Sequence, residues 1–241
     1  MITFEDIIKL ADNGNINAMV AAIQEFVWNS EYDENEPEIR KRIEEYLIQA
    51  ITAGNVTAMN QLGAMYGEGR LVEYDLKESY KWYKMASDRG DALATSNLGF
   101  CYMYGKGTEQ NYEKAYIAFS KAALLGIGDA IIRVGDMYLF GNYVDKDPRT
   151  AYSLYLRAER LAKNDLNDWG MQQVYSDVMR RLGDCYYYGE VVPKSLTKAI
   201  ECYSTALEYY EIRESKGDSY SSEGYRKTKE KLIKTVHEME D

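Results

Sequence analysis

Gly54-Asn55-Val56-Thr57-Ala58-Met59-Asn60-Gln61-Leu62-Gly63-Ala64-Met65-Tyr66-Gly67-Glu68-Gly69 returns 36 residues later as Gly90-Asp91-Ala92-Leu93-Ala94-Thr95-Ser96-Asn97-Leu98-Gly99-Phe100-Cys101-Tyr102-Met103-Tyr104-Gly105. Leu62-Gly63 falls on Leu98-Gly99, Tyr66 on Tyr102 and Gly69 on Gly105, and the register continues through Tyr80 with Tyr116 and Ala86 with Ala122. A fixed period of this size marks a solenoid, in which a supersecondary unit is stacked because it cannot bury its apolar face alone.

Working outward, the period carries on through Gly126, Ala130, Val134-Gly135, Tyr138, Gly141, Ala151, Tyr152, Tyr155 and Ala158. Leu182-Gly183 then lies 48 residues after Val134-Gly135, one period plus 12, so an insertion belongs around residues 162–171. Asn164, Asn167, Asp168 and Gly170 mark a loop there between lengthened helices. Phase resumes with Tyr186, Gly189, Ala199, Tyr203 and Ala206.

Toward the N-terminus, Gly14-Asn15-Ile16-Asn17-Ala18-Met19 resembles Gly54 to Met59, so a degenerate repeat occupies residues 14–53 behind a short helix capped by Thr3. Its two helices are separated by an acidic run, Asn29 to Glu36, that reads as a solvated, dispensable loop. The regular repeats span 54–89, 90–125, 126–161 and 172–211. Their first helices fall near 56–68 and 92–104, and their second helices near 76–89 and 112–125.

Each second helix begins after a polar residue in one column, Asp75, Asn111, Asp147 and Ser195, the residue types that cap free amides. Asp75 with Glu78 has the spacing of a capping box. Lys216 to Ser219 is a turn, and Ser222 is placed to cap a final helix over 222–239 whose apolar stripe is Leu232, Ile233, Val236 and Met239. These elements predict an all-α superhelix of about twelve helices in stacked antiparallel pairs, one domain over residues 1–241.

Composition narrows function by exclusion. Twenty-nine basic residues against 39 acidic ones give a net charge of -10, which opposes nucleic acid and anionic membranes and makes any charged partner basic. Glu5 and Asp6 stand where a secretion signal would be cationic, and no apolar run approaches a membrane span, so a cytoplasmic protein is expected. Cys101, Cys185 and Cys202 match no metal spacing and fall in columns with Met65, Met137, Trp82, Ala118 and Leu154, so they read as packing residues. No metal or other cofactor is expected. Most of the 23 tyrosines are repeat columns, which is core arithmetic. With one histidine, His237, and no nucleophile near a base, the sequence presents no catalytic set.

Ala-x-x-x-Leu-Gly-x-x-Tyr, then Gly, a polar cap and Lys-Ala-x-x-x-Tyr-x-x-Ala-Ala-x-x-Gly, as in Ala94 to Gly126, resembles the Sel-1-like repeat, a relative of the tetratricopeptide repeat. The resemblance implies an α-solenoid whose first helices line a concave face that holds other proteins. Ser79 and Val134 depart from the family's usual alanine and leucine. The turn Gly69 to Val72 lacks the second glycine of Gly105-Lys106-Gly107 and leaves its geometry open. That glycine pair sits between helices with no strand before it, so it is no phosphate cradle.

The functional reading is a non-enzymatic adaptor, monomeric rather than oligomeric, that binds a basic peptide or protein segment with apolar anchors. The alternative is an immunity or inhibitor protein that blocks a cationic toxin. In the second repeat Ala94, Leu98, Cys101 and Tyr102 make the core stripe, and Phe100 lies about 200° from Leu98 on the opposite face. Carried through the period, that face nominates Asn60, Phe100, Tyr104, Asp136, Phe140, Arg180, Asp184 and Tyr188 for partner binding. The glycine of each Leu-Gly pair, Gly99 among them, is expected to admit a close helix neighbour.

Overall fold

A computed structural model describes residues 3–28, 37–215 and 221–240. The acidic run before Pro37 and the turn at 216–219 lie outside the described residues. Among those described are twelve α-helices and no strand. The chain divides into two compact units, Met1–Ala118 and Phe119–Asp241, with the boundary inside α7.

The first unit holds α1 (Phe4–Asp12), α2 (Ile16–Trp28), α3 (Pro37–Thr52), α4 (Val56–Glu68), α5 (Leu76–Asp88), α6 (Ala92–Tyr104) and the start of α7 (Tyr112–Leu124). Thr3 and Asp6 form a reciprocal capping box on α1. The degenerate repeat is the antiparallel pair α2–α3, whose Met19, Ile23, Phe26, Ile43, Tyr46 and Leu47 form one core with Ala58, Leu62 and Met65 of α4. Asn15, Asn55 and Asp91 each accept a hydrogen bond from the amide three residues on, which makes the start of α2 equivalent to those of α4 and α6.

In the second unit, α8 (Gly128–Phe140), α9 (Pro148–Lys163), α10 (Trp169–Tyr188), α11 (Leu196–Ser215) and α12 (Ser221–Glu240) pack each on the next. The 12 inserted residues appear as seven at the start of α10, three at the end of α9 and two in the joining loop. Gly170, expected in that loop, lies within α10. The added turns of α10 are buried because α11 extends with them: Tyr175 meets Tyr209 edge-on at 4.9 Å, and Arg213 donates to Ser176 at 2.7 Å.

The polar column caps every second helix. Asp75 accepts from the amides of Lys77 and Glu78, Asn111 from Lys114, Asp147 from Arg149 and Thr150, and Ser195 from Lys198. The amide of each capping residue donates to a tyrosine carbonyl of the preceding helix, in turn Tyr66, Tyr102, Tyr138 and Tyr186, so all four turns close in the same way. Glu78 does not complete a capping box, because its carboxylate binds Lys81 at 2.5 Å. The turn after α4 keeps its geometry without a second glycine: Leu71 (φ 58°) and Tyr143 (φ 72°) adopt the left-handed conformation of Gly107, at a cost of about 1–2 kcal/mol each.

Two tyrosine columns meet across neighbouring repeats. The hydroxyls of Tyr80 and Tyr102 lie 3.2 Å apart, as do those of Tyr152 and Tyr186, with both ring pairs edge to face.

The final helix departs from expectation. Ser222 sits within its first turn, and its most buried face is Ser221, Gly224, Thr228 and Thr235; of the expected aliphatic stripe Leu232 and Val236 are half-buried and Ile233 and Met239 exposed. Small residues win here because the Tyr210 ring lies against Gly224, too close for a side chain on that face. The two threonine hydroxyls satisfy themselves on the Gly224 and Lys231 carbonyls at 2.7 Å.

The glycines after Leu62, Val134 and Leu182 each lie against an aromatic ring twenty residues on. A Cβ at Gly63 would stand 2.8 Å from Tyr83, at Gly135 2.6 Å from Tyr155, and at Gly183 2.5 Å from Tyr203. Tyr203 is fully buried and cannot yield. Gly183→Leu is therefore expected to lower stability by about 2 kcal/mol, since an overpacking cost of about 3 kcal/mol outweighs the roughly 1 kcal/mol that leaving glycine returns in helix propensity. Urea denaturation of the full chain checks this, and unchanged stability would mean that α11 does not need that approach.

Candidate functional site

In the first unit, the three nominated residues behave differently. Asn60 is only 6% exposed, and its amide oxygen accepts from Asn97 at 3.0 Å, so its polar end serves the packing of α4 on α6. Phe100 is half-buried, with its ring parallel to that of Tyr104 at 6.2 Å. Tyr104, the last residue of α6, is 57% exposed and lies under the Lys106 ammonium.

In the second unit, the nominated carboxylates turn inward. Asp136 receives both arms of Arg181, from Nε and Nη2 at 2.7 Å each, and the Tyr155 hydroxyl at 2.8 Å. Asp184 repeats the pattern: the Tyr203 hydroxyl donates at 2.7 Å, and Lys231 of α12 approaches both oxygens at 2.5 and 2.7 Å. Arg180 lies 3.8 Å from the same carboxylate. A third half-buried acid, Asp177, takes the Tyr210 hydroxyl at 2.6 Å. The carboxylates on which the expectation of a basic partner partly rested are thus neutralised by the protein's own cations.

Burial and ion pairing oppose one another in this network. Burial alone would raise the carboxyl of Asp136, but the Arg181 guanidinium, then Arg133 and the Tyr155 hydroxyl, outweigh it and hold the pKa below the usual range. Asp177 is likewise depressed against its burial, by Arg181, Tyr210 and Arg133. Arg181 is held firmly charged. Such a set adds little over well-packed apolar residues, yet removing one member leaves an uncompensated buried charge.

The remaining nominated aromatics face solvent. Phe140 is 69% exposed and Tyr188 62%, each the last residue of its helix before a left-handed glycine. Between them opens a cleft of about 370 Å³, lined by the apolar Leu139, Pro148, Cys185 and Val191 and by the charged Lys146, Arg181, Asp184, Glu190 and Lys231. Cys185 is half-buried rather than part of the core, and burial pushes its thiol up to about 12. The thiol stays protonated and is no nucleophile at neutral pH. Burial also raises Cys101 and Cys202, each to about 11. Among the described residues no cluster of His, Cys, Asp or Glu could hold a metal, and no helix is long and apolar enough to cross a membrane. The cleft offers apolar contact, and the charged side chains in its lining are already engaged, Arg181 by Asp136 and Lys231 by Asp184.

Sequence reasoning missed Arg181 and Lys231, the partners of the two acids. One signal was present: aspartate directly follows the glycine where a tyrosine stands nineteen residues later, as with Asp136 and Tyr155 or Asp184 and Tyr203. Nothing local identified Lys231, which reaches Asp184 from beyond the repeat register.

Helix pairs recurring at 36 residues with identical caps and turns define an α-solenoid repeat protein. The sequence profile of the Sel1 repeat matches residues 56–91, 92–127, 128–162 and 176–211, more than half of the chain, and the chain belongs to this family. Among solved structures it is similar to a Sel1 repeat protein from Oxalobacter formigenes, at 21% identity over 96% of this chain and 99% of that one, with a TM-score of 0.67. A putative Sel1 repeat protein from Klebsiella pneumoniae subsp. pneumoniae aligns at 14% identity over 92% and 96%, and the immunity protein Pa5087 from Pseudomonas aeruginosa at 17% over 92% and 81%, each with a TM-score of 0.54. At these identities the likeness is one of fold. No curated protein matches the chain.

Asp136→Asn should cost about 3–5 kcal/mol at pH 7, because Arg181 then lacks its counter-charge in a buried site. The depressed pKa means that the wild-type advantage is complete above about 4, the unfolded value, and is lost as pH falls through the folded one. Urea melts at pH 7 and below pH 3 should therefore show the gap between the two proteins closing in acid. A gap independent of pH would remove the ionic account.

Proposed function

We propose that this protein is a non-enzymatic binding module that holds a segment of another protein by an apolar anchor, and that the cleft between Phe140 and Tyr188 is where the anchor enters. Sel1 repeat proteins generally mediate protein–protein interaction. The observation that carries the reading here is the pair of exposed aromatic rings flanking a preformed apolar hollow in the second unit. Aromatic side chains left on a surface around a concavity are the usual anchors of an interface. Tyr104 occupies the corresponding helix end in the first unit and extends the same use to it.

The immunity or inhibitor role is a narrower form of this reading. The structural neighbour Pa5087 is described as an immunity protein, which supports such a use of the architecture, and the net charge of -10 would draw in a cationic toxin. That form requires tight one-to-one binding whose association slows steeply with salt.

Quantitative capture with the full chain distinguishes anchored binding from incidental adhesion. Proteins retained by the wild type should fall at least about tenfold on Phe140→Ala/Tyr188→Ala, the loss of about 1.4 kcal/mol or more that a central anchor carries, with helicity and melting unchanged. Tyr104→Ala alone reports whether the first unit contributes. Retention by the double variant equal to wild type would place binding elsewhere.

A further inference from the structure

Resting on the reading that the Phe140–Tyr188 cleft holds a protein segment, we propose that this segment is acidic, its carboxylates lying on a basic shelf formed by α10 and α12 beside the cleft. Lys227, Lys231 and Lys234 follow one another at intervals of four and three along one face of α12, and Arg180 of α10 faces them. Together they line a hollow of about 240 Å³ in which Glu230 is the one acidic lining residue. Lys231 lines this hollow and the apolar cleft alike, so the two adjoin and one extended segment can occupy both.

The shelf keeps binding capacity because its own counter-charges are few or loosely held. Arg180 and Lys231 share the carboxylate of Asp184, and Arg180 also lies near Asp177 and the Tyr210 hydroxyl, so the freer cations are the two lysines on the outer face. Lys227 pairs with Glu223 at 2.6 Å and Lys234 with Glu238 at 3.8 Å, both one helical turn away, with the two ammonium chains 53% and 67% exposed. Exposed pairs of this kind are worth only a few tenths of a kcal/mol, so an incoming carboxylate can exchange with them at little cost. Lysine has three donors, which lets Lys231 hold Asp184 and still reach outward.

The net charge of -10 does not cancel this local field, since charges more than about 8 Å away are screened at physiological salt. It does select among anions. A nucleic acid or an anionic bilayer presents its charge across a wide area and meets the acidic remainder of the surface, whereas a short acidic segment meets the shelf alone. The overall charge and the contact charge therefore point to different partners, and the contact charge governs what the cleft retains.

Random peptides displayed on phage and selected on the immobilised full chain at about 0.15 M salt test this, with the enriched peptides measured by fluorescence anisotropy. Sequences joining an aromatic or aliphatic residue to two or more Asp or Glu are expected. Their affinity should fall about tenfold on Lys227→Gln/Lys234→Gln, with a weaker salt dependence and an unchanged circular dichroism spectrum. Neutral or basic peptides that need Phe140 and Tyr188 but ignore the lysine change would overturn the charge assignment while leaving the cleft intact. No enrichment, or peptides indifferent to both double variants, would sink the cleft reading and this proposal with it. Oligothymidylate or phosphatidylserine vesicles binding as tightly as the peptides, and through the same lysines, would show a general polyanion surface instead.

Discussion

A glycine under an aromatic ring is the contact on which the second unit depends. Gly135 lets Tyr155 lie against α8, and Gly183 lets Tyr203 lie against α10, at distances that no other residue permits. The approach decides more than packing. It brings each tyrosine hydroxyl over the residue that follows the glycine, and in both cases that residue is aspartate. A ring buried in an apolar layer thereby finds an acceptor, and a carboxylate near the core finds a donor. In the first unit, Gly63 admits Tyr83 in the same way, but Ala64 follows it and offers no carboxylate.

The aspartates then recruit the next layer. Arg181 reaches back from α10 to Asp136, and Lys231 reaches back from α12 to Asp184, so the last helix stands to α10 and α11 as a first helix would stand in a further repeat. This accounts for a helix whose fully buried residues are serine and threonine, with Leu232 and Val236 only half-buried. It docks by close approach to Tyr210 and by two ion pairs, Lys231 with Asp184 and Glu238 with Lys194. The lengthened α10, α11 and α12 are each twenty residues long, which keeps the added turns covered.

Docking in this way leaves the outer face of α12 free for charge. Lys227 and Lys234 flank the lysine that anchors the helix, so the position that ends the stack also brings cations to the edge of the apolar cleft. A stabilising ion pair and the proposed binding surface share one side chain, Lys231, which has three donors and holds the two oxygens of Asp184.

The sequence by itself determined the repeat, the helix positions outside α10 and α11 to within a residue or two, the capping column, the glycines of close approach and the aromatics Tyr104, Phe140 and Tyr188 that stand in the open. These are set by spacing along one chain: a period of 36 residues, a helical turn, and the preference of Asp, Asn and Ser for a first turn. Only the tertiary structure decided what became of Asp136, Asp184 and Asn60, which share the outward register with those aromatics but are taken up internally. A helical wheel gives a direction and not a neighbour, and long flexible cations such as Arg181 and Lys231 reach across to acids that the wheel leaves facing outward. The same holds for α12, where the residues with the greatest hydrophobicity were not the ones buried. Burial went to the face that could come close to a fixed tyrosine ring, and that distance exists only in the folded chain.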